Sequence, residues 1–420
     1  MRLLSPLLAA PLVFGLSSRT SIDTRLEPVP AMRTVDSIPV SIRWNRLVPK
    51  FLDEAAANRK AARKAAAGDS AALRRIAQSQ PPMLFRVYTV LSVAQYAAVN
   101  SASENRSVSP EAAVAGASAT VLTELLTDPG ARASIARELA RDLVQARGAS
   151  RGSDRTDAGK VMGEDVARRV IAWAPTINLV APWNGTIPTG PGMWYSAPGI
   201  PPIGISVGKA RTWLLDSTSQ FRPAPPPAYG SPAWTAALEE VKRVARERTR
   251  QQTEIAQRWN SSDPWALWNE KAVDALQRNH ASETEAARVL AVLNVGAMDA
   301  IVACFEAKYH YWTIRPSQAD TTLVLADSVS LPNFPSYPSG HACSAGAFGA
   351  VLGHYFPKDR AAFNKISAEQ AMSRLYGGIH YRFDNDGGLA LGSVVALYDV
   401  ERERGGALNG WRTATVTRKP

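Results

Sequence analysis

Ala, Val and Leu recur at three- and four-residue spacing along most of this chain, and that spacing predicts amphipathic helices. The clear segments are 51–66, 84–101, 110–125, 131–146, 158–173, 234–257, 264–277 and 283–308. A small-residue run from Ala342 and the segment 367–376 predict two more. Alternating apolar and polar runs with turn punctuation are nearly absent, so the predicted fold class is all-α. The helical pattern stops between about 176 and 233, where Pro, Gly and Trp dominate. Examples are Pro188-Thr189-Gly190-Pro191-Gly192 and Pro223-Ala224-Pro225-Pro226-Pro227. That composition predicts a long connection rather than a helix pair. Its Trp residues argue that it wraps over a surface, since free linkers rarely carry them. It could rim a pocket or join subunits into a homo-oligomer, and the sequence leaves both open.

Two segments of the helical pattern repeat. RVYTVLSVAQYAAV at 86–99 echoes RVLAVLNVGAMDAI at 288–301, and AGASATVL at 115–122 echoes AGAFGAVL at 345–352. Both pairs keep the same order, which predicts two four-helix bundles related by duplication. The N-terminal bundle would occupy 19–175, the Pro-rich crossing 176–233 and the C-terminal bundle 234–420. Before its AGA segment the first copy has Val108-Ser109-Pro110-Glu111, where the second has Pro338-Ser339-Gly340-His341. Only the second copy keeps residues suited to chemistry, so the active site is expected in the C-terminal bundle.

Composition narrows the partners. The chain has 420 residues and a formal charge of +11, which favours anionic ligands. It lacks zinc-ligand spacing and any long Lys/Arg run, so nucleic acid is not an expected partner. Five His and two Cys are too few for a transition-metal cage of several ligands. Residues 1–18 carry Arg2, then a largely apolar stretch, then Ser17-Ser18, with no acidic residue before Asp23. This predicts a signal peptide and an exported protein, periplasmic or extracellular. No other apolar run of spanning length is expected, and so no transmembrane span. Cys304 and Cys343 could pair in an exported protein, but two small buried thiols are the preferred reading.

The candidate chemistry lies in three short segments. They read Lys308-x6-Arg315-Pro316, Pro338-Ser339-Gly340-His341, and Ser373-Arg374-x5-His380-x3-Asp384. Lys308, Arg315 and Arg374 supply charge and N–H donors, Ser339 a hydroxyl, and Gly340 a close backbone approach. The helix that starts near Ala342 would direct amide groups and its dipole at an anion beside Ser339 and Gly340. His341 and His380 supply a proton carrier and a nucleophile or ligand. If a helix restarts at His380, Asp384 falls on the same face and can fix the ring tautomer. Asp299 is a weaker candidate for support of His341. The set suits a tetrahedral oxyanion such as phosphate or vanadate.

At these residues the chain resembles the vanadium-dependent haloperoxidases and the type 2 phosphatidic acid phosphatases, which share one fold and one pocket. It is similar to bacterial haloperoxidase-like members over most of its length. The looser similarities run from Trp44 through SQFRPAPPPA at 219–228 and Ile255-Ala256-x-x-Trp259 to Met298-Asp299-Ala300. The resemblance implies two four-helix bundles. It assigns Lys308, Arg315, Ser339, Gly340 and Arg374 to the oxyanion's oxygens and His341 to acid–base work. His380 would bond vanadium or attack phosphorus. One implied chemistry is halide oxidation by hydrogen peroxide with vanadate as cofactor. The other is hydrolysis of a phosphate monoester through a phosphohistidine, with no cofactor. The aromatic first motif, the length of the chain and Phe334, seven residues before His341, lean toward the haloperoxidases.

Overall fold

The computed structural model describes residues 38–66, 69, 83–150, 153–196 and 199–412. The signal stretch expected at 1–18 lies outside these residues. Helix starts follow the side chains that can cap them. Ser109, Ser231, Thr249, Asp263, Ser282 and Ser339 each accept a hydrogen bond from an amide of the first turn. Pro110, Pro232 and Pro264 follow three of these caps, at a position where a missing N–H costs nothing.

Thirteen α-helices result among the described residues, with no strand. The first five are α1 (Val40–Ala65), α2 (Leu84–Ser103), α3 (Pro110–Leu125), α4 (Pro129–Ser150) and α5 (Ser153–Trp173). After the Pro-rich crossing come α6 (Pro232–Glu247), α7 (Arg250–Ser261), α8 (Pro264–Arg278) and α9 (Glu283–Tyr311). The short α10 (Pro316–Ala319) precedes α11 (Gly340–Tyr355), α12 (Arg360–Tyr376) and α13 (Arg382–Arg404). The single helix expected over 234–257 is in fact two. Arg248 adopts extended backbone, and a capping box between Thr249 and Gln252 starts a new helix. The segments expected at 51–66 and 367–376 are the later parts of longer helices, α1 and α12.

α2, α3, α4 and α5 pack together as one bundle, and α9, α11, α12 and α13 as a second. The bundles meet where α2 lies on α9, and one apolar core runs through both. Polar groups mark the seam. Asn294 on α9 donates to Ser92 Oγ on α2 at 3.1 Å, and Thr89 Oγ donates to the Asn294 carbonyl at 3.2 Å. Ser92 and Asn294 are equivalent positions of the first sequence echo.

Two glycines set the tightest crossings. A Cβ on Gly163 of α5 would stand 1.9 Å from the Ala113 carbonyl of α3, and one on Gly392 of α13 would stand 1.9 Å from the Cys343 carbonyl of α11. Ala113 and Cys343 are equivalent positions beside the second echo. Ser109 N donates to the Arg155 carbonyl and Ser339 N to the Asp384 carbonyl, both at 2.9 Å. The two bundles thus repeat the same contacts at matching positions.

α9 is long and apolar enough to cross a membrane, contrary to the expectation that no such run exists past the N-terminus. In the fold 94% of that apolar window is buried, because α9 is the helix that both bundles share. The crossing wraps over the first motif. Tyr311 and Tyr337 donate to the carbonyls of Pro223 and Ala224, and Arg222 pairs with Glu306. Met193 and Thr313 form an isolated antiparallel bridge. Asp299 belongs to this contact rather than to His341: its carboxylate accepts from the amides of Trp213, Leu214 and Leu215.

Candidate active site

The three motifs converge at one end of the second bundle. Lys308 sits in the last turn of α9 and is fully buried. Its Nζ donates to the carbonyls of Pro335 at 2.9 Å and Ser336 at 2.8 Å. Burial, with help from the nearby Arg315 charge, brings its pKa down to about 8. Trp312, in left-handed backbone, ends α9 and turns the chain toward Arg315. The Arg315 guanidinium is also fully buried. Its Nε donates to the Phe334 carbonyl at 3.1 Å, and its Nη1 to the Ile379 carbonyl at 2.7 Å. Nη2 is buried with no partner in the protein. The Phe334 ring packs 5.0 Å from both cations.

Ser339 is the N-cap of α11, and its hydroxyl accepts from Ala342 N. Gly340 is the first helical residue rather than a residue before the helix, and a Cβ there would meet nothing within 4 Å. His341, in the same first turn, faces the C-terminal end of α7. Its Nε2 lies 3.1 Å from the Trp259 carbonyl. A carbonyl only accepts, so Nε2 carries the proton and Nδ1 the lone pair. Burial and the Arg374 charge push the imidazole down to about 3. Arg374, in the last turn of α12, donates to Ser373 Oγ at 2.9 Å and the Ala256 carbonyl at 3.0 Å.

His380 does not start a helix, as one reading of its spacing to Asp384 required. α13 begins at Arg382, and Tyr381 is its N-cap. Asp384 still reaches the ring, because its side chain folds back over the cap. Its Oδ2 lies 2.8 Å from His380 Nδ1 and accepts from Tyr381 N at 3.1 Å. His380 Nε2 lies 3.0 Å from Arg315 Nη1. Burial and the neighbouring cations, Arg315 first, hold the ring well below its ordinary pKa. Burial raises the Asp384 carboxyl to about 6.

All of the expected residues except Asp299 therefore gather in one place. The cluster also contains groups that the spacing did not single out. Ser336, fully buried, donates to Asp384 Oδ2 at 2.6 Å. α7 contributes the carbonyls of Ala256 and Trp259 and the side chain of Asn260. The serine stands in the Phe334-Pro335-Ser336-Tyr337 approach to the second motif, which was the available signal. Nothing in the spacing of α7 pointed to its carbonyls. Cys304 and Cys343 are both buried free thiols. Two surface hollows among the described residues, one around Trp183 and Ile200 and one around Ala237 and Phe383, contain none of the motif residues.

Lys308 and Arg315 thus act on one buried carboxylate, Asp384, while a third buried cation, Arg374, acts on His341 and His380. Uncompensated buried charge is costly, so the cluster suits an anion. The free donor on Arg315 and the open space over Gly340 fit a tetrahedral oxyanion, with Lys308 and Arg374 at its sides. His380 Nε2 carries a lone pair that now faces Arg315 Nη1 and that a central atom could take in place of this contact, and His341 Nδ1 is a proton acceptor.

Known proteins bear on this geometry. Residues 288–401 match the model of the PAP2 superfamily. A vanadium-dependent bromoperoxidase of Ascophyllum nodosum is 32% identical over 101 residues, covering 17% of this chain and 18% of that one. A lipid A 1-phosphatase of Rhizobium johnstonii is 41% identical over 64 residues, covering 15% of this chain and 26% of that one. The chain thus matches only about a fifth to a quarter of these curated relatives. Solved structures match far more of it. A bacterial vanadium-dependent iodoperoxidase superposes with a TM-score of 0.64 over 77% of this chain and 91% of its own, at 24% identity. A bacterial vanadium-dependent chloroperoxidase in holo form gives 0.59 over 79% and 93%, at 13% identity. The match to the PAP2 superfamily model thus spans all three motifs, and the all-helical two-bundle fold is the one seen in the vanadium-dependent haloperoxidase structures.

Proposed function

We propose that this protein is a vanadium-dependent haloperoxidase, which oxidises halide with hydrogen peroxide at a vanadate held on His380. The observation that carries an oxyanion site is the gathering of three buried cations, Lys308, Arg315 and Arg374, with His341 and His380 and only one buried carboxylate, Asp384, and with a buried donor of Arg315 left free. The preference for halide oxidation rests on the architecture. The fold matches haloperoxidase structures over 77% and 79% of this chain and over 91% and 93% of theirs.

In this reading His380 Nε2 is the protein's bond to the cofactor. Lys308, Arg315 and Arg374, with Ser339 Oγ and the Gly340 amide, neutralise and orient the oxyanion's oxygens. Bound vanadate supplies a Lewis acid that activates hydrogen peroxide toward attack by halide. Asp384 keeps the proton of His380 on Nδ1, so Nε2 stays unprotonated and would exchange its contact with Arg315 Nη1 for the bound group. Lys308 is the cation best placed to polarise an oxygen, because its charge is already strained by burial. His341 Nδ1 takes up and returns protons, while the Trp259 carbonyl holds the ring in position.

A phosphatase reading has its own support in the likeness to the lipid A 1-phosphatase over the motif region. There His380 Nε2 would attack phosphorus as the phosphorus–oxygen bond to the alcohol breaks, with the leaving oxygen taking a proton from His341 in its protonated form. His341, then neutral, would take a proton from a water that attacks phosphorus, breaking the phosphorus–nitrogen bond and releasing phosphate. The assay that separates the two is peroxide-dependent bromide or iodide oxidation with added orthovanadate, run beside hydrolysis of a chromogenic phosphate monoester. Vanadate-dependent halide oxidation supports the proposal. Hydrolysis without halide oxidation overturns it in favour of the second reading.

A further inference from the structure

One residue outside the three motifs ties them together. Ser336 is fully buried, and each of its polar groups is engaged by a different part of the cluster. Its amide donates to the Thr313 carbonyl at 2.9 Å, beside the first motif. Its carbonyl accepts from Lys308 Nζ at 2.8 Å. Its hydroxyl donates to Asp384 Oδ2 at 2.6 Å and lies 3.5 Å from His380 Nδ1.

The carboxylate that it touches is unevenly held. Oδ2 of Asp384 takes all three contacts, from Ser336, His380 and Tyr381, whereas Oδ1 is buried with no partner. Without the serine hydroxyl, only the Tyr381 amide and the ring itself hold Oδ2, and the carboxylate is free to tilt about its Cβ–Cγ bond. A tilt displaces the acceptor of His380 Nδ1 and turns Nε2 off its line beside Arg315. We propose that Ser336 is a positioning residue, which aims His380 Nε2 at the oxyanion by fixing the rotamer of Asp384.

This inference rests on the reading that His380 Nε2 faces an oxyanion, and it is independent of which reaction follows. Substitution of partners that orient a ligating His weakens metal binding by about 10–100-fold. The test is orthovanadate binding to the full chain, by equilibrium dialysis and vanadium NMR, for wild type, Ser336→Ala and Ser336→Thr. The imidazole nitrogen signals of His380 are recorded in the vanadate-free protein. Ser92→Ala, which removes a buried hydroxyl at the bundle seam, is the control for loss of core packing.

The expected result is about tenfold weaker binding and a changed vanadium signal for Ser336→Ala, with disturbed His380 resonances. Ser336→Thr should recover most of the affinity, and Ser92→Ala should bind as wild type does. If Ser336→Ala fails to fold, Ser336→Cys, close in volume but a poor donor, carries the same expectation. Wild-type affinity and unchanged His380 signals in Ser336→Ala or Ser336→Cys would overturn the inference alone. Failure of the wild type to bind orthovanadate would instead remove the oxyanion reading on which it stands.

Discussion

Arg315 Nη1 stands 3.0 Å from His380 Nε2, on the opposite side of the ring from Asp384. A guanidinium can only donate, so it faces a ring nitrogen that holds a lone pair. The two partners together fix the tautomer before any ligand arrives. A lysine at 315 would keep the charge and lose the planar fork, including the free Nη2 group. Arg315→Lys is expected to weaken orthovanadate binding by about 10–100-fold, the range for one lost charge-assisted hydrogen bond. Binding measured by dialysis checks this, and unchanged affinity would contradict the cradle assigned to Arg315.

Asp384→Asn tests the other side of the ring. An amide in place of the carboxylate presents either a weaker acceptor or a donor to Nδ1, and a donor forces the proton onto Nε2. Orthovanadate affinity should fall by about 10–100-fold, with little change in secondary structure by circular dichroism. Full affinity in the folded variant would show that the Asp384 contact does not matter to the ligand.

Lys308 is charged below about pH 8 and neutral above it, because burial favours the neutral amine. Anion affinity of the ligand-free protein should therefore decline as pH rises through that value. Sulfate is the suitable probe, since its own charge is constant over the neutral and alkaline range. Lys308→Gln should bind sulfate more weakly and lose that decline. The same alkaline decline in the variant would assign it to another group.

Asp399 on α13 is a buried carboxyl with no partner for either oxygen, and Asp299 is its charged neighbour. Burial and then Asp299 push it well above its ordinary value, so the fold favours the protonated acid. The unfolded chain binds its proton only below about pH 4. Stability is therefore fully retained below that pH, and is lost as pH rises toward the folded-state value. Asp399→Asn removes this penalty and should stabilise the protein at neutral and alkaline pH by about 1–3 kcal/mol, with little change near pH 4. Urea unfolding at the two pH values checks the difference. Equal effects at both would contradict it.

Gly163 and Gly392 make the same contact in the two bundles, but only Gly392 lies on the helix that carries Asp384. A methyl group at either must push a carbonyl aside, at a cost of about 1–3 kcal/mol. Both alanine variants should melt at lower temperature. Only Gly392→Ala should also lose orthovanadate affinity at a temperature where it is folded. Equal affinities would show that the site tolerates displacement of α13.

Much of this was legible in the sequence for physical reasons. The three- and four-residue spacing of Ala, Val and Leu announced most of the helices locally, and the two echoes announced the matching pairs of helices. The three motifs were legible because Lys, Arg and His are rare together in a core. Other features depended on contacts far apart in the chain. The break at Arg248 interrupts an otherwise helical composition, and the capping box that follows it is short and weak as a signal. His380 and Asp384 were expected to meet on one helical face, and they meet instead across a helix cap. Ser336 and the α7 carbonyls were missed because a serine beside Pro335 and two main-chain oxygens carry no distinctive spacing. Asp299 was placed near His341 by its nearness to the first motif, whereas α9 turns it toward the amides at 213–215.

The most direct test is one titration of purified protein with orthovanadate, in which halide oxidation and phosphate monoester hydrolysis are followed together. Halide oxidation should rise from background to a plateau as vanadate is added, and His380→Ala should show no rise. A flat background for bromide and iodide at every vanadate concentration, beside hydrolysis that vanadate extinguishes, would contradict the haloperoxidase proposal and leave a phosphatase.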